Sequence, residues 1–116
     1  MKITVPMNML FVIFFSYLAE AQLLPTKLRV TVIDGLGNYV KDASVTIYEN
    51  EKDYLGSENP IAMLRTNEKG KVTFKKVKPI VYFIEAKSGE KNNNGEGVQT
   101  GQLSEGRINK VNTVIE

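Results

Sequence analysis

Residues 66–89 (TNEKGKVTFKKVKPIVYFIEAKSG) limit the fold more than any other stretch of the chain. Thr66 to Gly70 has the composition of a tight turn, with Gly70 suited to a left-handed backbone position. Val72 and Phe74 then alternate with Thr73 and Lys75, the period of a half-buried strand. Pro79 breaks the pattern. A second strand follows, with Tyr82, Ile84 and Ala86 on one face and Val81, Phe83 and Glu85 on the other. Both faces of its first half are apolar, so it is expected at the centre of a sheet with cover on each side.

The same period recurs elsewhere. Leu28, Val30 and Val32 alternate with Arg29 and Thr31; Ala43, Val45 and Ile47 alternate with Ser44, Thr46 and Tyr48. Residues 34–38 (DGLGN) form a loop between these strands. Residues 49–59 (ENEKDYLGSEN) are polar and admit a helical turn, but are too short and too polar for a packed helix. Pro60 introduces an extended piece at residues 61–65, placed at a sheet edge because proline cannot donate to a ladder. Residues 88–101 are the longest irregular segment. A further short strand is expected within residues 98–103, and a closing strand carries Val111, Thr113 and Ile115 on one face. About seven short strands separated by turn signals predict an all-β, antiparallel Greek-key β-sandwich.

A chain of 116 residues holds one domain. Residues 1–21 read as an export signal: Lys2 precedes the apolar run MLFVIFFSYL at residues 9–18, and Ala19-Glu20-Ala21 forms a small-x-small cleavage site. That run is about half of the roughly 20 residues a membrane span requires. The expectation is cleavage near Ala21, a mature domain at residues 22–116 with no stable membrane span, and a secreted, periplasmic or cell-surface location. With 15 basic and 13 acidic residues the net charge is +2, too balanced for nucleic acid or an anionic membrane to be the expected partner. The lysines at 69–71 and 75–78 read as a solvated sheet face that resists edge-to-edge aggregation. The chain has no cysteine and no histidine, which removes disulfides, thiolate chemistry, the commonest general base and the usual zinc ligands.

Taken in order, Val32-Ile33-Asp34, Gly37-Asn38, Val40, Ala43 and Val45, then Thr66, Gly70, Val72, Phe74 and Val77, then Tyr82, Ile84, Ala86 and Gly89 form a pattern. It resembles the carboxypeptidase regulatory-like and Cna-B-like group of prealbumin-like (transthyretin-like) β-sandwiches. The resemblance implies a module without catalysis or cofactor that braces, spaces or binds, with an unidentified protein or glycan as partner. Histidine-dependent hydrolases of this fold are set aside because the chain has no histidine.

Three chemistries have candidate residues. An intramolecular isopeptide bond, as in some Cna-B-like domains, would draw on Lys27, Glu85 and Asn112. The family's lysine falls near the end of the first strand, where this chain has Ile33, and Glu85 alternates away from Tyr82, Ile84 and Ala86. A calcium loop would use Asn92, Asn94 and Glu96, with Glu90 near and Lys91 opposing. A glycan- or ligand-binding module would use the end loops 49–59 and 88–101, with Tyr48 and Tyr54 flanking a groove and Tyr39 apart from them. The expected function is an exported, bacterial-type accessory domain with a structural or binding role and no enzymatic one.

Overall fold

A computed structural model describes residues 24–95 and 97–116. The export signal of residues 1–21 and its cleavage site lie outside these residues, as does Glu96.

Among the described residues, seven strands and one short helix make up two facing sheets. The strands are β1 (Thr26–Asp34), β2 (Ser44–Tyr48), β3 (Ala62–Arg65), β4 (Lys71–Val77), β5 (Phe83–Ser88), β6 (Lys91–Asn92) and β7 (Ile108–Ile115); the helix α1 is Glu51–Gly56. One sheet has the order β4-β1-β7 and the other β3-β2-β5-β6. The chain is therefore an all-β sandwich, as the alternation predicts. Its core consists of the residues singled out by period two: Leu28, Val30 and Val32 from β1, Ala43, Val45 and Ile47 around β2, Val72 and Phe74, then Tyr82, Ile84 and Ala86. Ile115 and Leu103 complete it.

One pairing departs from the antiparallel expectation. β1 and β7 run parallel over an unbroken register from Lys27↔Ile108 to Asp34↔Ile115. A parallel neighbour cannot be reached by a hairpin. The chain meets the requirement by leaving β6 in the other sheet and returning through residues 93–107. The strand expected in residues 98–103 is reduced to a single bridge, Phe83↔Gln99. Its ladder stops because Tyr82 donates its backbone N–H to the Thr100 hydroxyl at 2.9 Å, where a regular ladder would use a carbonyl.

β4 is not a regular strand either. Its register against β1 slips by one residue between Phe74 and Val77, so Lys75 and Lys76 bulge together opposite Lys27. The apolar second face of β5 finds its cover in α1. Tyr54 lies with its ring 6.1 Å from that of Phe83 and 5.9 Å from that of Tyr48. Asn50 caps the helix by accepting from the Asp53 N–H at 2.8 Å. Tyr48, expected at the surface, is buried under this cover.

The Thr66–Gly70 turn has a physical basis in full. The Thr66 hydroxyl accepts from the Ala43 N–H at 2.8 Å and donates to the Val40 carbonyl at 2.6 Å, tying the turn to the start of β2. Asn67 accepts from the N–H groups of Lys69 and Lys71. Gly70 has φ +70°, and a Cβ there would lie 2.6 Å from the Val32 carbonyl oxygen of β1. Two penalties coincide: about 1–2 kcal/mol for left-handed backbone with a side chain, and about 1–3 kcal/mol for overpacking. Gly70→Ala is expected to lose about 2–5 kcal/mol of stability in urea unfolding. Gly89 also has a positive φ but open space around it, so Gly89→Ala isolates the backbone contribution at about 1–2 kcal/mol. Equal losses would show that the close approach to Val32 has no weight.

Candidate functional site

Polar groups from distant parts of the chain meet at the interior end of the loop after β6 and in the groove beneath α1.

The first centres on Asn93, which in the sequence is one member of an asparagine run and carries no signal of its own. Its side chain is buried between the sheets. Its Oδ1 accepts from the Ala86 N–H at 2.9 Å, and its Nδ2 donates to the Ile84 carbonyl at 3.0 Å and to the Thr113 hydroxyl at 2.9 Å. Its backbone N–H also donates to the Ala86 carbonyl at 3.2 Å. The amide thus pairs with β5 as another strand would, and reaches across to β7. Gly97 closes over the same point, since a Cβ there would lie 2.7 Å from the Thr113 hydroxyl. Beside it, Asn92 and Glu116 exchange two backbone hydrogen bonds at 3.3 and 3.0 Å, joining β6 to the end of β7. Among the described residues no buried side-chain nitrogen or oxygen lacks a partner.

The groove has a volume of about 480 Å³ and is lined by Tyr54, Leu55, Ser57, Glu85, Asn94, Gly95 and Val98. It joins the two end loops, 49–59 and 88–101, that the sequence singled out. The Tyr54 hydroxyl donates to Asn94 Oδ1 at 3.3 Å across it. At its base Glu85 is largely covered, accepting from the Tyr48 hydroxyl at 3.3 Å and pairing with Lys87 at 3.5 Å. Burial, and next the Glu85 charge, push the Tyr48 and Tyr54 phenols above their ordinary value. The arrangement offers aromatic surface, an amide, a hydroxyl and one carboxylate. Among the described residues that line the groove, Glu85 is the one carboxylate.

The isopeptide candidates are not brought together. Lys27 and Asn112 both stand on the outer face of the three-stranded sheet, but Lys27 is level with Ile108 and Asn112 with Thr31. Four residues along a strand separate them by about 13 Å. Glu85 is on the outer face of the other sheet, so the whole core intervenes. The buried polar residues of the described chain are threonines and Asn93, without a lysine or carboxylate among them. Of the calcium candidates, Asn92 accepts from the Asn94 N–H at 2.9 Å and Asn94 faces Tyr54. Among the described residues no three carboxylates gather in one place.

No family profile and no curated protein matches the sequence. Solved structures do resemble the fold. A Bacillus anthracis TIE protein superposes with a TM-score of 0.55 at 18% identity, over 78% of this chain and 16% of that one. The shaft pilin SpaA of Lactobacillus rhamnosus GG, in a variant form, superposes with a TM-score of 0.51 at 14% identity, over 78% of this chain and 46% of that one. The chain therefore corresponds to a minor share of the length of either. At these identities the likeness shows the two-sheet β-sandwich fold and nothing further.

The tyrosine pair provides a direct check on the groove. A phenol whose folded-state pKa is raised stabilises the fold fully below its unfolded value near 10, and that contribution is lost as pH rises through the folded value. In an ultraviolet titration two phenols should ionise above the ordinary range, with stability declining over the same alkaline interval. Glu85→Gln should lower both midpoints without restoring the ordinary value, because burial is the larger cause. Midpoints that ignore Glu85→Gln would contradict the placement of its carboxylate.

Proposed function

We propose that this domain is a non-catalytic, load-bearing module of a cell-surface assembly. The observation that carries the reading is the parallel pairing of β1 with β7. Because the two strands run side by side in the same direction, the described chain enters at the Thr26 end and leaves at the Ile115 end. Tension applied to those ends pulls β1 and β7 past each other along their shared axis. All the hydrogen bonds of an eight-residue register, Lys27↔Ile108 to Asp34↔Ile115, then resist together. In an antiparallel hairpin pulled at its open ends they would break singly and in succession. The exchange between Asn92 and Glu116 and the Asn93–Thr113 bond add attachments at the exit end. Likeness to one segment of a shaft pilin and one segment of a TIE protein supports the reading, since a module repeated or joined end to end suits an exit opposite its entry. Export through residues 1–21 would deliver it to the surface.

A second reading, ligand binding by the end loops, is favoured by one observation: the structure brings Tyr54 and Asn94 together across the groove. A ligand held there would raise the melting temperature in proportion to its occupancy.

Single-molecule extension separates shear from peeling. The chain has no cysteine, so attachment points introduced in pairs are unambiguous. Pulling through Leu24→Cys and Glu116→Cys loads β1 against β7. Pulling through Leu24→Cys and Lys78→Cys peels β1 from β4, because Thr26 and Val77 are adjacent. The first pair should unfold at a force several times that of the second, forced unfolding being governed by the loaded barrier. Equal forces would overturn the load-bearing reading.

A further inference from the structure

The outer face of the three-stranded sheet is unlike the rest of the surface. The strand registers stack its outward residues in rows: Lys71, Thr31 and Asn112; then Thr73, Arg29 and Lys110; then the bulged Lys75 and Lys76 opposite Lys27. No outward position of β1, β4 or β7 in these rows is acidic. The ion pairs of the described residues, Lys41–Glu68, Arg65–Asp42, Lys78–Glu49 and Lys87–Glu85, take none of these cations. A chain with a net charge of only +2 thus concentrates at least five positive charges on one sheet face. The bulge increases the density, since it sets two lysines where a regular strand would set one.

The centre of the face is a built hollow of about 290 Å³, lined by Arg29, Thr31, Ile33, Tyr39, Lys71, Lys110 and Asn112. That is near the lower end of small-ligand sites. Arg29 is held at its root: its Nε donates to the Thr73 hydroxyl at 3.0 Å. The terminal N–H groups of the guanidinium are left to form the two-pronged pair that matches a carboxylate or sulfate. Lys71 is held as well, with its Nζ 5.1 Å from the centre of the Tyr39 ring. Two cations of fixed position, a third from Lys110, and neutral hydroxyl and amide groups between them make a receptor for an anionic group on a hydroxyl-rich scaffold.

We propose that this face, centred on Arg29, binds an acidic glycan chain, with a sugar carboxylate or sulfate seated in the hollow and further anionic sugars along the rows of lysines. Outward residues repeat about every 6.6 Å along a strand, so the cations form a lattice over which a flexible polymer can be neutralised at successive units. Nucleic acid suits the face less well. It carries one ring, Tyr39, whose face is already taken by Lys71, and so lacks a series of stacking platforms for bases. A flat sheet also has no projecting element to enter a duplex groove. The site is separate from the groove beneath α1 and independent of the load-bearing reading. It would let the domain adhere to anionic polymer through its side while tension passes along its length.

The test uses the full chain and isothermal titration with an oligogalacturonate, a heparin fragment, neutral dextran and an oligothymidylate matched in charge. Either acidic glycan should bind near physiological salt, about 0.15 M, with dextran silent and the oligothymidylate weaker. Lys71→Glu with Lys110→Glu should weaken the glycan by about tenfold or more. Arg29→Gln should remove the preference for glycan over oligothymidylate. The charge-matched control, Lys52→Glu with Lys91→Glu, alters the rest of the surface by the same amount and should leave affinity within about twofold. Equal weakening by both double variants would show diffuse attraction in place of a site and overturn the proposal. Absence of glycan binding, or tighter binding of the oligothymidylate, would overturn it as well. Thermal unfolding of each variant establishes that it is folded; Lys52, Lys91 and Lys110 are exposed, and Lys71 is half-buried beside Tyr39.

Discussion

The amide of Asn93 is the interaction on which the rest of the structure depends. A sandwich of this size is held mostly by apolar contact, which is non-directional and allows its two sheets to slide. Asn93 removes that freedom at one point. By accepting from Ala86 and donating to Ile84 it continues the ladder of β5 without a strand, and by donating to Thr113 it fixes β7 against the opposite sheet. Every one of these groups is buried, so the alternative to the bond is an unpaired donor or acceptor at about 1–3 kcal/mol each. The position of Gly97 follows, since only a residue without Cβ can close over Thr113.

With β7 fixed, the path of the chain follows. The closing strand lies parallel to β1, and the described chain enters and leaves at opposite ends. The outer face of the three-stranded sheet is then a regular array of outward residues, and its basic character is a consequence of register as much as of composition. The groove beneath α1 depends on the same point from the other side, because the turn that carries Asn94 begins at Asn93. The buried amide thus ties β5 and β7, elements of the two sheets that carry these surfaces, to each other.

Much of the fold was legible in the sequence because its signal is local. Leu28, Val30, Val32, Val45, Ile47, Val72, Phe74, Tyr82, Ile84 and Ala86 all alternate within a few residues, and all are core. Gly70 announced its turn through a φ requirement that few other residues meet. What could not be read depends on partners distant in the chain. Tyr48 looked like a surface aromatic because its cover, Tyr54, comes from a helix whose own apolar content is slight. The β4 bulge leaves no mark in a run of lysines. Asn93 looked like its neighbours Asn92 and Asn94; what distinguishes it is Thr113, twenty residues away. A buried hydrogen bond of that span has no sequence period. The one available sign was the pairing of a polar Thr113 with Val111 and Ile115 on a face otherwise meant for the core.

The most direct test of Asn93 as the organising contact is a double-mutant cycle with Thr113, read by urea unfolding. Asn93→Ala removes the amide, Thr113→Val removes the hydroxyl at nearly constant shape, and the pair isolates their interaction. Asn93→Ala alone should be strongly destabilising, and the two changes should be non-additive by about 1–2 kcal/mol, the double variant losing less than the sum. Losses that simply add would contradict this role, leaving the two sheets held by apolar contact and the Asn92–Glu116 backbone bonds.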